Sequence, residues 1–170
     1  PFRADLPYTK VTSMNFLFVY GGGNAHAADY LELPRDVADQ FCAIYHSAFP
    51  EVRKLGRLAT RIAQERGYVR SLLGRRARFP DPQFAYKALN AVIQPTAADI
   101  FKTKVVEVHA ERKRTGFVMR APIHDELVGD CPDEESARMV TEILNRQSFP
   151  ELTVPILWSA NTGSDWAACK

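Results

Sequence analysis

Apolar residues at Val37, Phe41, Ile44 and Ala48 recur at helical spacing after Pro34, and Val52, Leu55, Ala59 and Ile62 repeat the pattern ahead of Gly67. The spacing predicts two amphipathic helices, the first stopped before Pro50 and the second closed by a C-terminal glycine. Upstream, Asp5-Leu6-Pro7 reads as an N-cap with proline in the first turn, so a helix is expected from about Tyr8 to Tyr20, ended by Gly21-Gly22-Gly23. Tyr68 to Pro80 reads as two strand-like pieces around Gly74. Thr96 and Asp99 resemble a capping box opening a helix that carries Ala97, Phe101, Val105 and Val108 on one face and stops at Gly116. Phe117 to Ile123 and Leu127 to Cys131 read as strands, with Pro122 at an edge or bulge because proline cannot donate to a ladder. A helix from about Pro132 to Arg146 and a last strand through Val154, Ile156 and Trp158 complete the pattern. Helices followed by strands mixed with helices predict an α+β arrangement.

Length and composition narrow the class. The 170 residues are 46% hydrophobic and 25% charged, ordinary for a soluble globular chain of one domain or parts of two. No apolar run approaches the ~20 residues of a membrane span, and Pro1-Phe2-Arg3-Ala4-Asp5 lacks a signal-peptide pattern. The missing initiator Met suggests a processed product or a fragment. Cys42, Cys131 and Cys169 are odd in number and far apart, which points away from a disulfide framework or a zinc site. A reducing compartment, the cytoplasm, is the default, including the host cytoplasm for a viral protein.

The net charge of +2 conceals an asymmetry. Between Arg53 and Arg78 lie nine basic residues against the single Glu65, and Arg53, Arg57 and Arg61 recur every four residues as one helical stripe. Asp125, Glu126, Asp130, Asp133, Glu134 and Glu135 form an acidic cluster. Charge runs are usually solvated faces, but such faces normally mix signs, and the basic run does not. A basic strip and an acidic point are what a phosphate-backbone binder with a metal site requires.

Three short elements carry candidate chemistry. His124-Asp125-Glu126 sits between apolar stretches. Alone it is commonly a polar hairpin turn, but adjacent carboxylates there also suit Mg²⁺, which takes hard oxygen ligands and substrate phosphates. In Asn15-Phe16-Leu17-Phe18-Val19-Tyr20-Gly21, Phe16 and Tyr20 are four apart and project from one helical face as stacked rings, able to stack on bases or simply to line a core. Asn90 and Gln94 are also four apart, and their amides both donate and accept, which suits the minor-groove edge of a base pair as well as a surface cap.

In this order, the elements resemble the C-terminal part of family A DNA polymerases, particularly the phage-type members. Asn15-Phe16 through Gly21 is similar to the fingers helix called motif B, and Gly67-Tyr68-Val69-Arg70 with Leu73-Gly74-Arg75-Arg76 resembles the segment after the fingers helices. Asn90, Gln94 and Thr96-Ala97-Ala98-Asp99 resemble the palm helix along the primer-template minor groove, and His124-Asp125-Glu126 resembles motif C. Gly163-Ser164-Asp165-Trp166 is similar to the family's closing pattern. The resemblance implies a fingers segment over residues 1–83 and a C-terminal part of an antiparallel palm sheet over 84–170, both from a right-hand polymerase.

It also implies roles. Asp125 would be a catalytic metal ligand and Glu126 a secondary one, for two Mg²⁺ ions. Phe16 would pack against the incoming deoxynucleoside triphosphate, and Tyr20 would lie near the templating base. Asn90 and Gln94 would contact the nascent duplex, His124 the primer terminus, and Arg75 and Arg76 the DNA. The family uses Phe or Tyr at the position of Phe16, and Tyr there admits dideoxynucleotides.

The chain departs from the family pattern at three places. Thr12 stands where the fingers helix has Lys, and Tyr8 where it has Arg; Lys10, ~160° around a helix from Thr12, is the candidate triphosphate ligand. Pro95 replaces the glycine after the palm glutamine, a neutral change just before a helix. The third departure is motif A, the strand bearing the opposing aspartate, which precedes the fingers in the family and has no counterpart in these 170 residues. The expectation is a split polymerase that acts with primer-template DNA and a second polypeptide supplying motif A, the thumb and, where present, an exonuclease domain. A catalytically silent DNA-binding remnant and a single-subunit RNA polymerase relative are the alternatives.

Overall fold

Alanine, more than the larger aliphatics, sets the packing of the first half of this chain. The computed structural model describes residues 8–20, 22 and 24–169, and it parts into two compact units between Thr96 and Ala97. In the first, α1 (Tyr8–Val19), α2 (Asn24–Leu31), α3 (Arg35–Ala48) and α4 (Pro50–Arg66) are followed by a hairpin of β1 (Tyr68–Arg70) and β2 (Arg76–Arg78), then a 3-10 helix (Pro82–Lys87). One cluster joins α4 to the 3-10 helix through Ala59, Ala63, Val69, Ala85, Ala88 and Leu89. A second joins Phe18, Ala27, Leu31 and Cys42. Small side chains let helix backbones approach closely, so the buried face of α3 lies one residue away from the predicted one, while α4 keeps Ala59 of its predicted face and adds Ala63. On α3 the buried residues are Ala38 and Cys42, while Ile44 is 56% exposed. On α4 they are Ala59 and Ala63, while Leu55 is 51% exposed.

The predicted helix ends hold where a strong signal marks them. Pro50 opens α4, and Gly67 closes it at φ 71° with its N–H on the Ala63 carbonyl at 2.9 Å. That left-handed conformation is cheap only for glycine. The chain reverses there, and β1 and β2 pair antiparallel, Tyr68 with Arg78, Val69 with Ala77 and Arg70 with Arg76. The Phe79 N–H closes the hairpin on the Gly67 carbonyl at 2.7 Å. Helix α2 is absent from the sequence expectation: it is short and alanine-rich, with no strong periodicity. The cap at Asp5-Leu6-Pro7 and the stops at Gly21 and Gly23 lie outside the described residues.

Helix α5 (Asn90–Ala110) corrects the expected start at Thr96. It begins six residues earlier and runs through Pro95, so Pro95 stands inside the helix rather than before it. Proline has no N–H to give the Ala91 carbonyl, and the bonds from Val92 to Ala88 (3.1 Å) and from Ile93 to Leu89 (3.0 Å) anchor the turn ahead of it. The Thr96 hydroxyl is no cap. It donates back to the Val92 carbonyl at 2.6 Å and accepts the Leu72 N–H at 2.9 Å, tying α5 to the loop after β1.

In the second unit α5 buries Ile100, Lys104 and Val108; of the expected face Val108 is buried, Phe101 and Val105 are half-buried and Ala97 is exposed. After α6 (Arg112–Thr115), β3 (Val118–Ile123) and β4 (Glu126–Asp130) form the predicted antiparallel hairpin, followed by α7 (Glu134–Leu144). The β3–β4 register shifts between Met119 and Ala121, and Pro122 pairs opposite Leu127 on this two-stranded sheet. The core is Val108, Phe117, Val140, Ile143 and Leu144. Gly129 belongs to it by having no side chain, since a Cβ there would sit 2.3 Å from the Phe117 ring. Asp133 caps α7, accepting the Ser136 N–H at 2.7 Å.

The expected last strand does not form. Residues 155–163 carry no strand or helix, and Pro155 interrupts any ladder. The side-chain amide of Asn145 stands in for a neighbouring strand: its Nδ2 donates to the Trp158 carbonyl and its Oδ1 accepts the Trp158 N–H, both at 2.9 Å. The Trp158 ring stacks on Phe101, centroids 5.8 Å apart. Among the described residues no helix is long and apolar enough to cross a membrane.

Candidate functional site

Helix α1 has two faces. Phe18 points into the core against Tyr45, centroids 4.6 Å apart, and against His46 at 5.2 Å. Phe16 lies on another face, 55% exposed, and stacks on Tyr20 with centroids 5.8 Å apart and planes at 23°. The spacing of four produces the aromatic pair that the sequence predicts, and the buried Phe18 fixes the helix rotation that presents it. The backbone of α1 is helical from Tyr8 and includes Lys10; the Lys10 side chain lies outside what the structure describes.

Arg75 and Arg76 are exposed on the hairpin after α4. The Arg76 guanidinium lies 5.0 Å over the Tyr68 ring, and that of Arg70 lies 5.9 Å from it. Arg70 and Arg76 are directly opposed cross-strand partners. Like charges so placed repel, and the ring between them offsets part of that cost. Sequence reasoning does not single out Tyr68, since the contact depends on the register of the hairpin. Asn90 and Gln94 sit one turn apart on the opening of α5; Gln94 is exposed, and the Oδ1 of Asn90 is buried with no hydrogen-bond partner among the described residues.

In the second unit Ile123 pairs with Glu126, so His124 and Asp125 form a two-residue hairpin loop. His124 takes φ 53°, the positive value that the first central position of such a turn demands. His124, Asp125 and Glu126 are all exposed. Neither carboxylate has a hydrogen bond or ion pair among the described residues. The rest of the acidic cluster is largely structural: Asp130 pairs with Arg120 at 2.6 Å, Asp133 caps α7, and Glu135 pairs with Arg138. The free carboxylates therefore concentrate at the hairpin tip. No group of three or more metal-ligating side chains gathers among the described residues. Two adjacent, unpaired carboxylates fit one side of a magnesium site, which needs further oxygens from substrate and from an opposing carboxylate.

The aromatic pair, the amides and Arg75–Arg76 belong to the first unit and the carboxylate hairpin to the second. The compact units divide between Thr96 and Ala97, inside α5, not at the expected boundary between residues 83 and 84.

Comparison with known proteins gives the family. The chain is 31% identical to the thermostable DNA polymerase I of Thermus aquaticus over 93% of its length, and 32% identical to DNA polymerase I of Bacillus caldotenax over 95%. It spans only 20% of each of those relatives. Its structure is similar to the POL domain of Pol1 from M. smegmatis, solved in complex with DNA primer-template and dNTP. The TM-score is 0.85 at 29% identity, covering 99% of this chain and 32% of that one. The mixed fold, helices with small antiparallel sheets, is that of part of a right-hand polymerase. The model of DNA polymerase family A matches residues 9–168, and the chain belongs to that family.

Proposed function

We propose that these residues form the fingers and the C-terminal palm portion of a DNA-directed DNA polymerase that transfers deoxynucleotides to a primer 3′-hydroxyl. The observation that carries this reading is the unpaired Asp125–Glu126 carboxylate pair at a two-residue hairpin tip, in a chain of family A. The solved neighbour's primer-template and dNTP support the same substrates here.

Asp125 would hold catalytic metal, with Glu126 beside it. The chemistry two bound Mg²⁺ ions supply is charge stabilisation on the attacking and leaving oxygens. His124 meets the primer terminus from the turn position before Asp125. Phe16 packs on the sugar and base of the incoming nucleotide, and Tyr20 borders the templating base, their stack holding both rings in place. Asn90 and Gln94 read the minor groove of the new duplex, where amides that donate and accept suit every base pair. Lys10 is the candidate contact to the triphosphate, and Arg75 and Arg76 hold the DNA backbone. The primer hydroxyl then attacks the α-phosphate in line, and pyrophosphate leaves.

The carboxylate that would complete the metal site with Asp125 comes, on this reading, from polypeptide outside the 170 residues. The test is primer extension by the polymerase that contains these residues. Asp125→Asn should lower incorporation at least about a hundredfold, the scale of several kcal/mol of lost charge stabilisation, with the fold intact by circular dichroism; Glu126→Gln should cost less. Extension at the normal rate by Asp125→Asn would refute the assignment.

A further inference from the structure

A trough of ≈ 250 Å³ opens on the second unit between the end of α5, α6 and the start of β3. Gly116, at φ 68°, turns the chain from α6 into β3, so the two walls follow one another in sequence. One wall is basic: His109 from α5 with Arg112 and Lys113 from α6, all exposed. The floor and the other wall are apolar: Val108 and Phe117, both buried, with Met119 and the 48% exposed Val118. No carboxylate lines the trough. The acids next to these walls in the fold are already paired. Glu111 pairs with Arg114 at 2.7 Å and with Arg146 at 3.3 Å, and Asp130, the register partner of Val118, pairs with Arg120. Among the described residues His109, Arg112 and Lys113 form no ion pair.

Two features set the occupant. Carbonyls at the end of α5 attract cations, and Arg112 serves there, its Nη1 donating to the His109 carbonyl at 2.9 Å. That accounts for neither Lys113 nor the apolar side. The volume is below the ~300–1,000 Å³ of small-molecule sites, so it suits one large side chain rather than a whole cofactor. Among the described residues β3 pairs only with β4, so its other edge presents unpaired backbone groups. Beyond Met119 that edge is blunted by the register shift ahead of Ala121 and by Pro122, which has no N–H. The regular stretch left open is Val118–Met119, the part that lines the trough. A short extended peptide adds to such an edge and sets a side chain in the adjoining pocket. Charge complementarity makes that peptide acidic. A nucleic-acid strand would use the cations but neither the apolar floor nor the strand edge.

We propose that this trough docks an acidic peptide segment of a partner protein, laid along β3 at Val118–Met119, with one apolar side chain over Val108 and Phe117 and its carboxylates on Arg112 and Lys113. The site goes beyond the polymerase reading and uses none of the residues assigned to that chemistry.

The test is the anisotropy of a labelled nonapeptide of aspartate and glutamate around one central phenylalanine, titrated with the polymerase that contains these residues. Binding should weaken with salt. Arg112→Glu/Lys113→Glu should weaken it at least about tenfold, because like charges then meet, and Lys113→Glu alone should weaken it severalfold. Replacing the peptide's phenylalanine with alanine should cost about tenfold or more, the scale of one buried ring. Primer extension should be unchanged in both variants, which shows that they fold; should the double variant lose it, Lys113→Glu alone decides. No binding, as when the rest of the polymerase covers β3, overturns the proposal, and so does wild-type affinity in the variants. Oligothymidylate that displaces the peptide at equal charge, with the alanine peptide binding as well as the original, makes the trough a nucleic-acid contact and overturns it too. None of these results touches the polymerase reading, which fails only if primer extension by the wild type fails.

Discussion

The ammonium of Lys104 donates to the main-chain carbonyl of Arg146 at 2.7 Å, joining the middle of α5 to the end of α7 beneath the surface. The same ammonium, 3% exposed, reaches Glu107 at 2.9 Å and the Ser148 hydroxyl at 2.7 Å. A lysine on the buried stripe between Ile100 and Val108 thus acts as a hub for groups with few other partners. Removing one member of such a pair strands the rest. Lys104→Met should therefore lower stability by about 3 kcal/mol, read as a lower urea midpoint.

Glu107 gives that hub a pH signature. Burial alone raises its carboxyl, but hydrogen bonds from Ser148 and Lys104, with the charges of Lys104 and Arg146, outweigh burial and hold it below its ordinary range. A depressed carboxyl stabilises the fold fully above the unfolded value, about 4.3. That contribution is lost as pH falls through the lower folded value. Stability measured from neutral pH into acid should drop less steeply in Lys104→Met than in the wild type, because the lysine sustains the shift.

Nucleotide choice tests α1. Phe16 implies discrimination against dideoxynucleotides, and Phe16→Tyr should relax it severalfold or more with little change in stability, since the ring is exposed and keeps its partner Tyr20. The ratio of incorporation efficiencies for a dideoxy and a deoxy nucleotide is the measurement. An unchanged ratio would remove Phe16 from the nucleotide site.

Arg75 and Arg76 should bind duplex DNA chiefly by charge. Arg75→Ala/Arg76→Ala should flatten the slope of log affinity against log salt by roughly 1.8, and losing the stack on Tyr68 should cost about 0.5–1 kcal/mol of stability. A slope equal to the wild type's would make these arginines an ordinary solvated face.

His46, on α3, reports on the arginines of α4. Burial and then the charges of Arg53 and Arg57 hold its imidazole low. A histidine so shifted favours the fold in its neutral form, so stability falls as pH drops below about 6.5 and through the lower folded value. In an NMR titration, Arg53→Gln/Arg57→Gln should move the His46 midpoint upward without returning it fully, because burial remains.

Strong, local signals made much of this fold legible. Gly67 and Pro50 bound α4, the apolar stretches around His124-Asp125-Glu126 give the hairpin, and α7 starts two residues after the expected Pro132. Elements that depend on distant partners were not legible. The start of α5 runs through Pro95 because the 3-10 helix and the preceding carbonyls of Ala88 and Leu89 support it. The segment at Val154 reads as a strand by alternation, but Asn145 satisfies Trp158 where a ladder would have to. Within the candidate site, the aromatic pair follows from spacing alone. The Arg76 contact with Tyr68 needs the hairpin register, which no local pattern encodes.

The alanine seam between α4 and the 3-10 helix also bears on motion. Larger side chains let packed helices shift by exchanging rotamers, each step cheap and reversible. Ala59, Ala63, Ala85 and Ala88 have no rotamers to exchange. Their backbones meet at a fixed distance, so strain applied at one end of α4 cannot be absorbed within the seam. It is passed along whole, and the helix with its arginines turns as one lever with the residues docked against it.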